Sequence, residues 1–223
     1  MTKKHDIMWL ESTDSTNNEA ARRIDSLDNM SVVSALSQNS GRGQRGNTWL
    51  SEPGANLTFS IVLKYSAATH EVSQSLPPLE AKHQLAISVI TALSVIELLE
   101  TYRISARIKW PNDIYVGEKK ICGILIEHSI KGIMLSHSIV GIGLNINQRN
   151  FDVSLPNPTS IVLCRDELGR VEPTDCLERF MDIYKRYLPL LSEGRDISRI
   201  YNQFISKLRP GSPIEEINLA LQR

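Results

Sequence analysis

The sequence lacks an excess of charge of either sign: its 223 residues carry 25 Lys and Arg against 25 Asp and Glu. A chain that holds DNA mainly through phosphates has a basic excess or a basic face, so zero net charge argues against that class. Cysteine is scarce. Cys122, Cys164 and Cys176 form no CxxC pair and are odd in number. That fits small core hydrophobes in a reducing cytoplasm better than a disulfide framework. Five histidines are scattered without ligand spacing, so a zinc site is not expected. The opening MTKKHDIMWLESTDS lacks the apolar core of a signal peptide, and no uninterrupted apolar run approaches the roughly 20 residues that span a bilayer. What remains is an ordinary globular composition, 41% hydrophobic and 22% charged, suited to one large domain or a main domain with a small appendage.

Ile7–Leu10 is a short apolar run, and Thr16 with Glu19 three residues on suggests a capping box and a helix to about Asp25. Val32–Leu36 and the alternating run from Asn56 to Tyr65 read as strands. From Ala81 to about Tyr102 the apolar residues recur at helical steps. RIKW, DIYV, KICGILIEHSI and LSHSIVGIGLNIN read as strands, with GEKK and IKGI as hairpin turns, and helices follow around Asp175–Leu191 and Ser198–Leu208. A β-rich middle with helices before and after predicts an α+β sheet with helices mainly on one face.

Three stretches carry chemistry. In SGRGQRGNTWLS, Gly41, Gly43 and Gly46 stand at the spacing G-x-G-x-x-G. A dinucleotide-binding turn needs a helix straight after it, and Pro53, Gly54 and the β-patterned run beyond them do not supply one. Glycines also let a backbone approach an anion closely, and Arg42 and Arg45 add forked, charge-assisted donors for carboxylate or phosphate. The plain alternative is a solvated charged loop. Next, IKWPNDIYVGEKKICGIL puts Lys109, Asn112 and Asp113 beside Pro111 and brings Lys119 or Lys120 back on the returning strand. Asp113 and Lys120 can meet across that hairpin, as a metal-capable carboxylate beside an ammonium or as a simple salt bridge. Trp110 fits a site or a core equally. Finally, in VGIGLNIN, Asn145 and Asn147 follow strand-ending glycines, which suits base recognition or ordinary turn chemistry.

In this order, with STNNEA ahead of them, these stretches resemble the catalytic domain of the biotin protein ligase family, the biotin–[acetyl-CoA-carboxylase] ligases. The family signatures S-T-N, Q-x-x-G-R-G-x-x-G-x-x-W, K-W-P-N-D followed by K-x-x-G, and G-x-G-x-N match Ser15–Asn17, Gln38–Trp49, Lys109–Gly123 and Gly141–Asn145. The resemblance runs from about Ile7 to Leu191. It implies a mixed β-sheet backed by helices, related to class II aminoacyl-tRNA synthetases. Residues 1–191 would be the catalytic domain, and 192–223 a C-terminal helix and remnant leading to a missing or truncated small β-barrel domain. The implied reaction joins biotin's carboxylate to the α-phosphate of MgATP, then passes biotin from biotinyl-5′-AMP to a lysine of a biotin carboxyl carrier protein.

The matched motifs imply a role for each residue. Lys120, Arg42, Lys109 and Asp113 would carry the chemistry, with Asp113 also the carboxylate for Mg²⁺. Ser15, Thr16, Asn17, Gln38, Gly41, Arg42, Gly43, Gln44, Trp49, Lys120 and Gly123 would hold biotin. Arg45, Asn47, Trp110, Asn112 and Asn145 would hold ATP. Where Gln44 and Asn47 stand, some relatives have arginine, so weaker anion binding is expected. The implied partner is the carrier subunit of acetyl-CoA carboxylase or a related carboxylase, and the implied setting a cytoplasmic homodimer without membrane. Repressor-type members begin with a helix-turn-helix domain, whereas STNN starts fifteen residues into this chain, so no DNA partner is expected. The rival readings are a lipoate–protein ligase and a non-catalytic regulator built on the same fold.

Overall fold

The computed structural model describes residues 5–66, 75–191 and 197–221. The elements run β1 (Ile7–Thr13), α1 (Thr16–Arg22), β2 (Val32–Gln38), β3 (Leu57–Lys64), α2 (Leu85–Thr101), β4 (Arg107–Lys109), β5 (Asp113–Val116), β6 (Lys119–Lys131) and β7 (Met134–Leu144). Then come α3 (Ile161–Cys164), α4 (Pro173–Tyr187), α5 (Ile197–Ser206) and α6 (Ile214–Leu221). The strands form a seven-stranded sheet in the order β1-β2-β3-β7-β6-β5-β4. β1 and β2 are parallel and every other neighbouring pair is antiparallel, which is the mixed sheet expected.

The alternation in β3 explains how the sheet is filled. Leu57, Phe59, Ile61 and Leu63 point one way, into the main core with α2 and α4. Phe59 meets the edge of Phe180 from α4 at 5.2 Å between ring centres, and Phe180 stacks on Tyr184. Each such buried side chain contributes about 1.5–3 kcal/mol. The opposite face is covered only in part. Ala20 of α1 packs with Val33, Val62 and Ile139 in a small second cluster, and Asn17 and Trp49 lie over Gly141 and Gly143 of β7.

Helix α2 is apolar over most of its length. Residues Ala81–Thr101 are long and apolar enough to cross a bilayer, although no uninterrupted run is. Two-thirds of its most apolar 18 residues are buried in the molecule, so it is the central core helix. Its buried hydroxyls are satisfied locally: Thr91 donates to the Ile87 carbonyl at 2.6 Å and Ser94 to the Ile90 carbonyl at 2.7 Å.

One expectation fails. Ser15, not Thr16, precedes α1, and no side chain caps the helix. Glu19 pairs instead with Arg23 and Arg22, which hold its carboxyl below the usual range; ion pairing has outcompeted capping. The sequence pattern gave no signal for α6. The division expected between 191 and 192 lies outside the described residues. Ile200, Phe204, Leu208, Ile217 and Leu221 share the main core, and the Ile108 amide and carbonyl bond Lys207 and Arg209, so that segment runs parallel to β4.

Candidate active site

On the open face, β6 and β7 present glycine where a side chain would fill the space. Gly123 pairs with Gly143 and Leu125 with Gly141 across the two strands, so these residues share one face. A Cβ on Gly143 would sit 2.7 Å from Cζ2 and Nε1 of Trp49 and closer still to Cε2. A Cβ on Gly141 would strike the amide of Asn17, with Cγ at 2.9 Å. The glycines are therefore the floor on which the Trp49 indole and the Asn17 amide lie. Above that floor is a cavity of about 270 Å³.

One end of the cavity is polar and organised. Gln38 Oε1 accepts the Thr16 amide hydrogen at 2.7 Å, which leaves the Gln38 NH₂ as a donor. Ser60 Oγ lies 2.6 Å from Asn17 Oδ1 and 2.8 Å from Thr16 Oγ1. A hydroxyl has one hydrogen and an amide oxygen only accepts, so Ser60 donates to Asn17 and takes the hydrogen of Thr16. Thr16 then keeps lone pairs for an N–H in the cavity. Ser15, buried and not used as a cap, lines the same end.

The other end is cationic. Lys109 and Lys120 line it, and the loop adds Arg45 and Arg42 to the cavity lining, Arg42 beside Asn18 at the polar end. The expected meeting across the hairpin occurs: Lys120 Nζ lies 2.7 Å from Asp113 Oδ1. The two form a partly buried ion pair, and an ammonium has three hydrogens, so others remain free to turn toward a ligand. Lys120 Nζ is also 5.7 Å from the Trp49 ring centre, within cation–π range. Lys109 Nζ is 3.4 Å from the Tyr115 hydroxyl. Trp110 lines the cavity and also meets Phe204 of α5 edge-on, so both readings of this residue hold.

The glycine and arginine segment folds into a small hairpin, with Gly43 donating to the Asn47 carbonyl and Trp49 to the Gly41 carbonyl. A 3-10 turn at Gln44–Gly46 carries Arg45 at φ 56. No helix follows it, as the failure of the dinucleotide reading requires. Gly43, Gln44 and Asn47 line the cavity, as do Asn17, Asn112 and Gly123. Two expected residues stand back from it. Gly41 serves the turn, because a Cβ there would lie 3.1 Å from Gln38 Nε2 and closer to the Trp49 carbonyl oxygen. Asn145 is buried at the end of β7, its amide donating to the Thr159 carbonyl at 2.9 Å while its Oδ1 has no partner.

A model of the biotin/lipoate A/B protein ligase family matches residues 9–145. The chain belongs to that family. The bifunctional ligase/repressor BirA of Escherichia coli (strain K12) is 32% identical over 157 residues, which is 70% of this chain and 46% of that protein. This chain thus spans about half the length of that relative. A biotin–[acetyl-CoA-carboxylase] ligase of Paracoccus denitrificans is 29% identical over 213 residues, 92% of this chain and 82% of that one. Among solved structures, the biotin protein ligase from Aquifex aeolicus in complex with biotin and ATP superposes with a TM-score of 0.73 at 26% identity, covering 92% of this chain and 79% of that one. The fold is the biotin/lipoate ligase fold.

Within this ligase-family site, the sequence reading gave no individual role to several residues that shape it without reacting. Gly141 and Gly143 were visible as glycines at a two-residue step, which in a strand share a face. Ser60, which orients Thr16 and Asn17, stands in a run read only as core strand. Glu127, hydrogen-bonded to Asn17 and Arg42, offered no motif signal.

Proposed function

We propose that this protein activates biotin with ATP as biotinyl-5′-AMP and transfers it to a lysine of a biotin carboxyl carrier protein. The observation that carries the reading is a single cavity with a donor and an acceptor at one end, an aromatic wall, and cations at the other end. Biotin's ureido group has a carbonyl and N–H groups to match the Gln38 NH₂ and the Thr16 oxygen. Its apolar chain fits beside Trp49. Its carboxylate reaches toward Lys120. A lipoyl dithiolane has no group to satisfy that buried pair, and unmet polar partners discriminate strongly. This favours biotin over lipoate.

The first step brings two anions together. A biotin carboxylate oxygen attacks the α-phosphorus, and the bond to pyrophosphate breaks. Lys120, Lys109 and Arg45 offset the repulsion and stabilise charge on the α-phosphate and the leaving group. In the second step the amine of the acceptor lysine attacks the acyl carbon, AMP leaves, and the amine loses a proton. No enzyme nucleophile is required. Mg²⁺ accompanying ATP would supply further neutralisation of phosphate charge, and Asp113 is the cavity carboxylate that would hold it. Among the described residues no cluster of three or more metal-ligating side chains exists, which suits an ion held mainly by phosphates and water.

The proposal extends to the setting: a cytoplasmic enzyme acting on the carrier of acetyl-CoA carboxylase or a related carboxylase, without DNA. A homodimer through a sheet edge is part of it, since among the described residues β5 pairs with β6 only as far as Gly123. Transfer of biotin to a purified carrier domain in the presence of ATP tests the reading. Loss of transfer when the acceptor lysine is changed to arginine is expected, and transfer indifferent to that change would contradict it.

A further inference from the structure

We propose that Glu127 is a positioning residue for the glycine and arginine loop, and that Arg42 serves as its loop-side counterpart rather than as a ligand of the reacting anions. The inference rests on the biotin-activating reading of the cavity and changes the role of one of its cations. Arg42 Nη2 donates to Glu127 Oε1 at 2.6 Å and Nη1 to Oε2 at 3.2 Å, with a further 2.6 Å bond from Nη1 to Asn18 Oδ1. This is the two-pronged geometry in which a guanidinium holds a carboxylate best.

The carboxylate does more than pair with Arg42. Glu127 Oε2 also accepts from Asn17 Nδ2 at 2.8 Å, and Asn17 Oδ1 accepts from Ser60. One chain of contacts therefore joins β3, α1, β6 and the loop. Glu127 is two steps beyond Leu125 on the same face of β6 and lies outside the cavity wall, so it does not face the substrate. The loop's backbone bonds from Gly43 to Asn47 and from Trp49 to Gly41 are internal. Arg42 fastens this small hairpin to the sheet by charge, while its Trp49 indole lies on the sheet over Gly143.

The charge consequence is specific. With Glu127 opposite it, Arg42 brings no net positive charge to the anionic end, which leaves Arg45, Lys109 and Lys120. If Arg42 swung to a phosphate, the Glu127 carboxylate would lose its charged partner and keep the Asn17 amide, which it shares with the Leu125 carbonyl. The pair is partly exposed, so its loss does not threaten the fold and shifts loop closure modestly.

The test compares E127Q, R42A, the double variant and the charge-exchanged R42E/E127R in biotin-dependent pyrophosphate exchange. Cleavage by trypsin after Arg45 is followed in parallel. Expected are a rise of about fivefold in KM for biotin, kcat within about twofold of the parent, and faster cleavage. Both single variants behave alike, the double is no worse than either, and the exchanged pair recovers most of the loss. A kcat loss of about a hundredfold in R42A with E127Q unaffected, or effects that multiply in the double variant, would overturn the assignment. Unchanged cleavage in E127Q would do so as well. If the parent protein shows no biotin-dependent exchange, the reading of the cavity fails on its own, and the cleavage comparison still decides the role of Glu127.

Discussion

Gly143→Ala is the smallest change that tests how the cavity is built. The glycine has no positive φ, so alanine meets no backbone strain there. The added methyl is placed 2.7 Å from Cζ2 and Nε1 of Trp49 and closer to Cε2. Ordinary carbon contact begins near 3.5 Å, so the indole must retreat by about 1 Å. Trp49 belongs to a surface hairpin and can move, so the stability cost is expected at the low end of the about 1–3 kcal/mol typical of overpacking. The wall of the binding cavity moves with it, and a displacement of that size costs on the order of a hundredfold in a well-oriented reaction. Urea unfolding gives the first quantity. Biotin titration calorimetry and pyrophosphate exchange give the second. A variant with parental biotin affinity and exchange rate would refute the placing of Trp49 on the glycine floor as part of the binding site.

Other outcomes follow from the same geometry. Lys120→Ala should lower exchange by about a hundredfold or more while leaving the unfolding midpoint near the parent's, and unchanged exchange would remove Lys120 from the chemistry. Burial holds His128 and His137 below the ordinary imidazole value, so the unfolded chain takes up protons first as pH falls. Stability should be full above about pH 6.5 and decline below it. His128→Asn should show a smaller drop in urea midpoint between about pH 7.5 and about pH 5.5, and an equal drop would contradict the assignment. Burial pushes the Cys176 thiol up to about 12 and the Cys122 thiol higher still. A disulfide-exchange reagent should therefore titrate only Cys164 in the native protein and all three thiols in denaturant. Rapid native labelling of Cys122 or Cys176 would contradict the buried positions.

Much of the fold was legible because one physical rule dominated each stretch. The two-residue alternation in β3 has a single reading, since its apolar set fills one face. The Asp113 and Lys120 contact followed in part from the short turn, which returns β6 beside β5; the register pairs Lys120 with Tyr115 and Asp113 with Gly123, and a bulge between Ile114 and Tyr115 separates the two pairs. Where two rules competed, the pattern misled. Glu19 could have closed a capping box or paired with arginines one turn on, and the ion pairs won. Asn145 is a different case: just past the buried end of β7 its amide donates to the Thr159 carbonyl while its Oδ1 has no partner, so its role rests with the ligand-bound protein. Glu127 was illegible for a different reason. Its importance comes from Asn17 and Arg42, which are 110 and 85 residues away along the chain, and a lone glutamate in a strand carries no local trace of such partners.

The central claim is that this cavity adenylates biotin. Exchange of labelled pyrophosphate into ATP, with biotin and lipoate as parallel substrates, tests it most directly. The account predicts exchange with biotin and none with lipoate, because only the ureido group satisfies Gln38 and Thr16. Silence with biotin from protein that melts cooperatively, or equal exchange with lipoate, would contradict it.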